Sequence, residues 1–350
     1  MSLQAVADRR VFASVTDGAK LTERYVPSER LGAVTGPDRP EAMIWQACTS
    51  STGAARVHVE GPAGSGKTSL ILSIIGQLAR AAPGKPVQPL VVNTGASSAL
   101  LKNQTAFLDF MLDLIAIEGR FATLDTRELA EATADQITLT PAAVTHQIGV
   151  DAKVLSYSAT LTAAIKTITA GRNAAKTEAT FRRIIKALAA DFRPLVVIDD
   201  TDHFAGGGAN GTIDEQALTQ LYTHGIHTLA EYPQLDLIVA IQPRFRDLPA
   251  VADVESRFGF TCVEVAQLPA ETEDLALRRV LERRLQLADI DSAVADLIDD
   301  LALAALQSAY FTRGCDLRWV LDQAHEAATR AVSAKADMIT LAHVQPLLLG

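Results

Sequence analysis

Short, nearly continuous apolar runs alternate along this chain with longer stretches in which apolar residues recur at helical spacing. The short runs are RVHVE around Val57 and Val59, PVQPLVVN (86–93), LVVID (195–199), LDLIVAI (235–241) and TCVEV (261–265). Each reads as a strand, and LVVID, apolar on both faces, reads as a central parallel strand. Helices are expected from about Glu41 (Met43, Ile44, Trp45, Cys48), over SLILSIIGQLARAA, FLDFMLDLIAIEG and TFRRIIKALAADF, the last ended by Pro194, and over EQALTQLYTHGIHTLAEY. From Pro269 onward everything reads helical, with breaks near Asp289–Asp291 and Thr312–Asp316. Residues 1–40 are polar and broken by Pro27, Gly32, Gly36, Pro37 and Pro40, which reads as a mostly irregular arm. Residues 120–175 break the alternation and read as an insertion, first helical and then as an exposed strand or hairpin.

Strands alternating with helices imply an α/β fold: a parallel sheet covered by helices on both faces. The expected organisation is an arm (1–40), an αβα core (41–268) and a separate all-helical unit (269–350). Composition agrees with this reading. The 350 residues are 48% hydrophobic but only 5% aromatic, so the core must be built from Ala, Val, Leu and Ile. A net charge of −9 argues against coating nucleic acid by bulk charge. The three cysteines, Cys48, Cys262 and Cys315, are far apart and read as reduced thiols of a cytoplasmic protein. No run approaches the about 20 apolar residues that span a bilayer, so no membrane partner is expected.

One strand-to-helix junction carries chemistry. Gly61-Pro62-Ala63-Gly64-Ser65-Gly66-Lys67-Thr68 fits the phosphate-binding loop, strand before it and helix after it. Glycines let backbone N–H groups turn inward on a phosphate, and the helix N-terminus adds partial positive charge. Lys67 is expected to reach the β and γ oxygens, and the Thr68 hydroxyl to ligate Mg²⁺, with Ser69 next along the helix. The strand 195–199 ends in Asp199 and Asp200. Asp199 is placed to hold Mg²⁺, and Asp200 to polarise an attacking water. Asp202 and His203 are rivals for the base role, although turn or surface duty accounts for both more simply.

With these motifs the chain resembles the AAA+ ATPases, specifically the initiator clade of origin-recognition proteins and transposition-regulator ATPases, with STAND-type features. Arg24-Tyr25-Val26-Pro27 resembles the segment that packs beside adenine in that group. LDLIVAIQPRF is similar to its fourth strand with a terminal sensor, ESRFGFTCVEV to the arginine-bearing segment before the last strand, and GCDLRWVLDQAHEAA to the sensor helix of its lid. The resemblance implies a P-loop NTPase αβα sandwich with a helical lid, binding and hydrolysing ATP with Mg²⁺. It implies that Val26 lies beside the base, that Gln242 (or its rival Arg244) senses the γ-phosphate, that Arg257 is offered to a neighbouring subunit's nucleotide, and that Arg318 reads the γ-phosphate in cis. The sequence departs from the family in having Asp at 200 where Glu is common, in the long insertion, and in lacking a winged-helix unit after residue 350.

The function implied is a nucleotide-controlled switch that assembles into a homo-oligomeric ring or filament and acts with a protein partner or in a DNA transaction. The alternative is a nucleotide-dependent scaffold with little turnover. Residues 151–190 hold Lys153, Lys166, Arg172, Lys176, Arg182, Arg183 and Lys186 against two acids, a stripe suited to duplex DNA or, more plainly, to a solvated helix face. His224 and His227, at i and i+3, lack an evident third metal ligand and read as ordinary helix histidines.

Overall fold

In a computed structural model of the chain, the described residues are 3–14, 24–33, 35–50, 53–81, 84–94, 103–117, 174–199, 201–205, 214–270 and 276–349. The expectations for Asp200, for the insertion and for Lys153, Lys166 and Arg172 lie outside them.

Five strands form one parallel sheet in the order β2-β3-β4-β1-β5. They are β1 (Arg56–Glu60), β2 (Val87–Asn93), β3 (Arg193–Asp199), β4 (Asp236–Ile241) and β5 (Thr261–Glu264). The apolar runs of the sequence thus become the strands, and β3 is an interior strand between β2 and β4. Strand side chains alternate between faces. Leu195, Val197, Ile238, Ala240, Val57 and Val59 pack on one face with helices Pro40–Thr49 and Lys67–Ala81. Val196, Ile198, Leu237, Val239 and Ile241 pack on the other, where Phe107, Met111, Phe181 and Ile185 bring in helices Gln104–Ile117 and Ala174–Asp191. This is a three-layer αβα sandwich.

The structure adds three features to this frame. Helix Ala174–Asp191 stops before Pro194, which lies inside β3 opposite Gln88. A residue preceding proline is pushed to extended backbone, so Arg193 already belongs to the strand. The helix beginning at Glu215 is not uniform: a π turn at Leu221–Ile226 separates Glu215–Gln220 from His227–Ala230. Gly225 sits in that turn, where a Cβ would lie 2.9 Å from the ring of buried Phe107. Finally, β1 is apolar on one face only. Its other face carries Arg56, His58 and Glu60, all buried.

Helices Ala276–Leu287, Asp300–Thr312, Leu317–Ser333 and Leu341–Leu348 share a separate core with the short Val294–Leu297. Two of its turns place Asp289 and Cys315 at φ 51° and 64°, left-handed conformations at the breaks expected from sequence, and a third turn places Lys335 at 57°. The N-terminal segment belongs to this core. Leu3–Asp8 is a helix, and Leu3, Val6, Val11 and Phe12 are buried against the C-terminal helices. Burying each such side chain contributes about 1.5–3 kcal/mol. The Ser14 backbone N–H and hydroxyl both donate to Asp322, at 2.9 and 3.0 Å. Among the described residues, no helix is long and apolar enough to cross a membrane.

Candidate functional site

The sequence after β1 cannot continue as strand or start as helix until Lys67. Gly64 and Gly66 hold φ of 73° and 100°, a conformation that side chains with a Cβ rarely adopt. At Gly64 a Cβ would also lie 1.9 Å from the Asp316 carboxylate, so the loop and the start of helix Leu317–Ser333 are in close approach. Asp316 caps that helix by accepting from the Trp319 N–H at 2.9 Å.

Lys67 is nearly fully buried behind this loop. Its ammonium donates to the carbonyls of Gly61 and Pro62, each at 2.9 Å, and pairs with both oxygens of Asp202 at 3.0 and 3.1 Å. Burial pushes the Lys67 pKa down, and the charges of Asp202 and Asp199 work against that shift. Asp202 also accepts from the Gln242 amide at 3.0 Å, and the Gln242 carbonyl oxygen accepts from Arg244 at 2.9 Å. Lys67, Asp202, Gln242 and Arg244 therefore form one hydrogen-bonded line across the ends of β1, β3 and β4. Beside it, the Thr68 hydroxyl donates to Asp199 at 3.2 Å. An oxygen-only pair at the end of a buried strand is the ligand type a hard divalent cation takes. The Ser65 hydroxyl is buried and has no hydrogen-bond partner among the described residues. An unpaired polar atom inside a glycine-built cradle fits a loop shaped for an anion.

The loop forms the floor of a cleft. Gly64, Ser65, Gly66, Lys67, Thr68, Ser69 and Asp202 line one end. Tyr25, Val26, Ser28 and Leu31 line a second wall, and Val280, Arg284, Tyr310, Leu317, Arg318 and Leu321 of the helical unit a third. The second wall is held by Glu41, which accepts from the Ser28 N–H and hydroxyl at 2.7 and 2.6 Å and from the Tyr25 hydroxyl at 2.5 Å. Burial works to raise the Glu41 pKa, but these hydrogen bonds outweigh it and the net shift is downward. Arg284 is buried in the third wall, where it donates to the carbonyls of Phe12 and Ala13.

The residues singled out from sequence fall into three groups. Lys67, Thr68, Asp199, Gln242, Ser65, Ser69, Val26 and Arg318 lie on or directly behind the cleft. Arg318 makes no hydrogen bond or ion pair among the described residues. Arg257 is elsewhere, exposed near the end of helix Pro249–Phe258, with a loose 3.9 Å contact to Glu231 and its guanidinium 5.5 Å from the Phe258 ring. Asp200 lies outside the described residues. Asp202, read as a rival base or, more simply, a turn residue, sits in a tight turn and joins Lys67 to Gln242. Its spacing of three from Asp199 on a tight turn was the available signal. Arg284 gave none, being one of four arginines on an amphipathic helix.

No protein-family model and no curated protein matches the sequence. Solved structures do. The ORC2 protein of Aeropyrum pernix in an ADP form aligns with a TM-score of 0.52 at 17% identity, covering 97% of this chain and 72% of that one. The same protein in ADPNP–ADP complexes aligns at 0.50 and 17%, covering 97% and 71%. The Aeropyrum pernix ORC1 protein in complex with DNA aligns at 0.49 and 17%, and there this chain spans 65% of the other's length. The fold is therefore that of these ORC2 structures: a parallel αβα sandwich followed by a helical unit.

Proposed function

We propose that the protein binds ATP with Mg²⁺ in this cleft and hydrolyses it, and that the bound nucleotide controls how the helical unit and neighbouring subunits engage. The observation that carries the reading is the placement of Arg318. A cationic side chain from the C-terminal helices lines the same cleft as Lys67 and the glycine loop. A triphosphate there touches two separately folded cores at once, so its charge is read by both.

In this reading the loop N–H groups and Lys67 hold the phosphates, Thr68 and Asp199 hold the metal ion, and Val26 and its neighbours pack on the base. Bound Mg²⁺ neutralises charge on the β and γ oxygens. Asp202 keeps the Lys67 ammonium at the loop. Gln242 is close enough to Asp202 to orient a polar group beside it, and Asp200 is the proposed base. The exposed Arg257 suits presentation to the nucleotide of a second copy, where a guanidinium stabilises charge on the transferring phosphoryl group. A ring or filament follows from that arrangement. Duplex DNA is the first partner to test, with Arg182, Arg183 and Lys186, exposed on helix Ala174–Asp191, as the described part of the basic stripe.

The test is nucleotide titration and steady-state turnover of wild type and Lys67→Ala over a range of protein concentrations, with and without duplex DNA. Loss of ATP binding in the variant, and turnover per chain that rises with concentration in wild type, are expected. ATP affinity unchanged by Lys67→Ala overturns the site. Turnover independent of concentration favours the scaffold reading, in which ATP only fastens the two cores together.

A further inference from the structure

A second polar cluster lies away from the cleft, on the face of β1 that carries Arg56, His58 and Glu60. His58 is fully buried at the middle of the strand. Its ring stacks on Phe260 at 4.3 Å between centroids, and Nε2 lies 3.2 Å from the Tyr222 hydroxyl. The ring is thus fixed on two sides, and Nδ1 faces Glu255 Oε1 at 2.8 Å. Cys262 Sγ lies 3.6 Å from that same oxygen. The nitrogen, oxygen and sulfur are all within 4.8 Å of one another and come from three elements: β1, helix Pro249–Phe258 and β5.

The surroundings are short of positive charge. Glu60 and Glu255 share a single guanidinium, that of Arg246. A cation placed among these groups is favoured by the net field. Its type follows from the donors. Imidazole nitrogen with sulfur suits a borderline-soft transition ion, whereas magnesium and calcium prefer oxygen alone.

We propose that His58, Glu255 and Cys262 form a site for a zinc-like divalent ion, with water in the fourth position. The proton balance is simple. In the empty site Nδ1–H donates to Glu255 and the Tyr222 hydroxyl donates to Nε2. On ligation the imidazole proton moves to Nε2, where Nε2–H donates a hydrogen bond to the Tyr222 oxygen, and the freed Nδ1 lone pair binds the metal. The Cys262 thiol proton leaves to solvent, so one proton is released per ion. Tyr222 then does what an outer hydrogen-bonding partner does in metal sites, fixing tautomer and ring orientation. Small shifts suffice, because tetrahedral zinc bonds of about 2.0–2.3 Å need ligand atoms only a few ångströms apart. The ion ties the edge strand β5 and helix Pro249–Phe258 to the sheet interior.

The experiment is addition of Co²⁺ to the metal-free 350-residue chain, read by absorption. One equivalent is expected to give a near-ultraviolet thiolate-to-cobalt band and visible ligand-field bands, both displaced by Zn²⁺. Cys262→Ser, a one-atom change, abolishes the near-ultraviolet band, whereas Cys315→Ser keeps it. His58→Gln weakens cobalt binding about tenfold or more. Zn²⁺ raises the melting temperature of wild type and not of Cys262→Ser, while Mg²⁺ without nucleotide raises neither. Absence of the band in wild type, or a band of equal strength in Cys262→Ser, overturns the proposal. Either result leaves the ATP cleft untouched, since none of the three ligands lines it.

Discussion

Asp202 pairs with Lys67 at 3.0 Å, and that contact occupies the ammonium a phosphate would use. Lys67 is nearly fully buried, and burial already disfavours its charge. The carboxylate therefore steadies the lysine and competes with an incoming anion. Asp202→Asn keeps the shape and the Gln242 contact but removes the competing charge. The expected result is ATP binding tighter by about tenfold, about 1.4 kcal/mol, with a smaller gain for ADP, which carries less charge. Calorimetric titration with both nucleotides checks it. Weaker binding to the variant means instead that Asp202 holds Lys67 ready for the ligand.

Arg257 and Arg318 are separable by concentration. Arg257 is exposed and only loosely paired, so Arg257→Ala is expected to change stability by less than about 0.5 kcal/mol. It leaves ATP binding by the isolated chain intact and lowers turnover of the assembled form by on the order of 10³-fold, as expected of an arginine supplied in trans. Arg318→Ala acts within one chain and reduces the preference for ATP over ADP even at high dilution. Turnover and binding measured across a dilution series distinguish the two.

Glu41 makes the wall of the cleft sensitive to acid. Its folded pKa is depressed below the ordinary 4.5, so its stabilisation is complete above that value and is lost as pH falls through the depressed one. Glu41→Gln is expected to cost about 1–3 kcal/mol at neutral pH and to flatten the fall in stability below pH 4.5. Because Tyr25 and Ser28 line the cleft, ATP affinity falls with it. Denaturant melts at several pH values, with and without ATP, read both effects.

The π turn offers a packing test. Gly225→Ala puts a methyl group 2.9 Å from the ring of Phe107, which is fully buried and has nowhere to swing. A loss of about 1–3 kcal/mol is expected, the usual penalty for overpacking a core. Gly225→Ala combined with Phe107→Leu recovers part of it, which double-mutant thermal melts measure.

The five strands, the glycine loop and the turn breaks in the helical unit were legible because each is a local pattern. An apolar run, a glycine spacing or a capping change says what it is within ten residues. The charged face of β1 was not legible. Alternation of Val57 and Val59 with Arg56, His58 and Glu60 describes equally a strand with one face in water, and only the distant residues packed on that face, Tyr222, Tyr232, Glu255 and Phe260 among them, bury those polar groups. The N-terminal helix escaped for a related reason. Leu3, Val6, Val11 and Phe12 are too sparse among polar neighbours to predict a core, and their partners lie some 270 or more residues away. The role of Asp202 depended on Lys67 and Gln242 meeting across three strands. Pattern names the parts, and contacts between distant parts assign their work.

Among the described residues, the helical unit is fastened at two places. One is its covalent link after β5. The other is the N-terminal segment, whose first residues are interior to the helices and whose Tyr25 and Ser28 are moored by Glu41 to helix Pro40–Thr49. A body secured at a single point can swivel in any direction. One secured at two has a preferred axis, the line that joins them, and swings like a door. In the proposed reading, closing on a nucleotide becomes a motion of nearly fixed path that brings Arg318 to the same place each time.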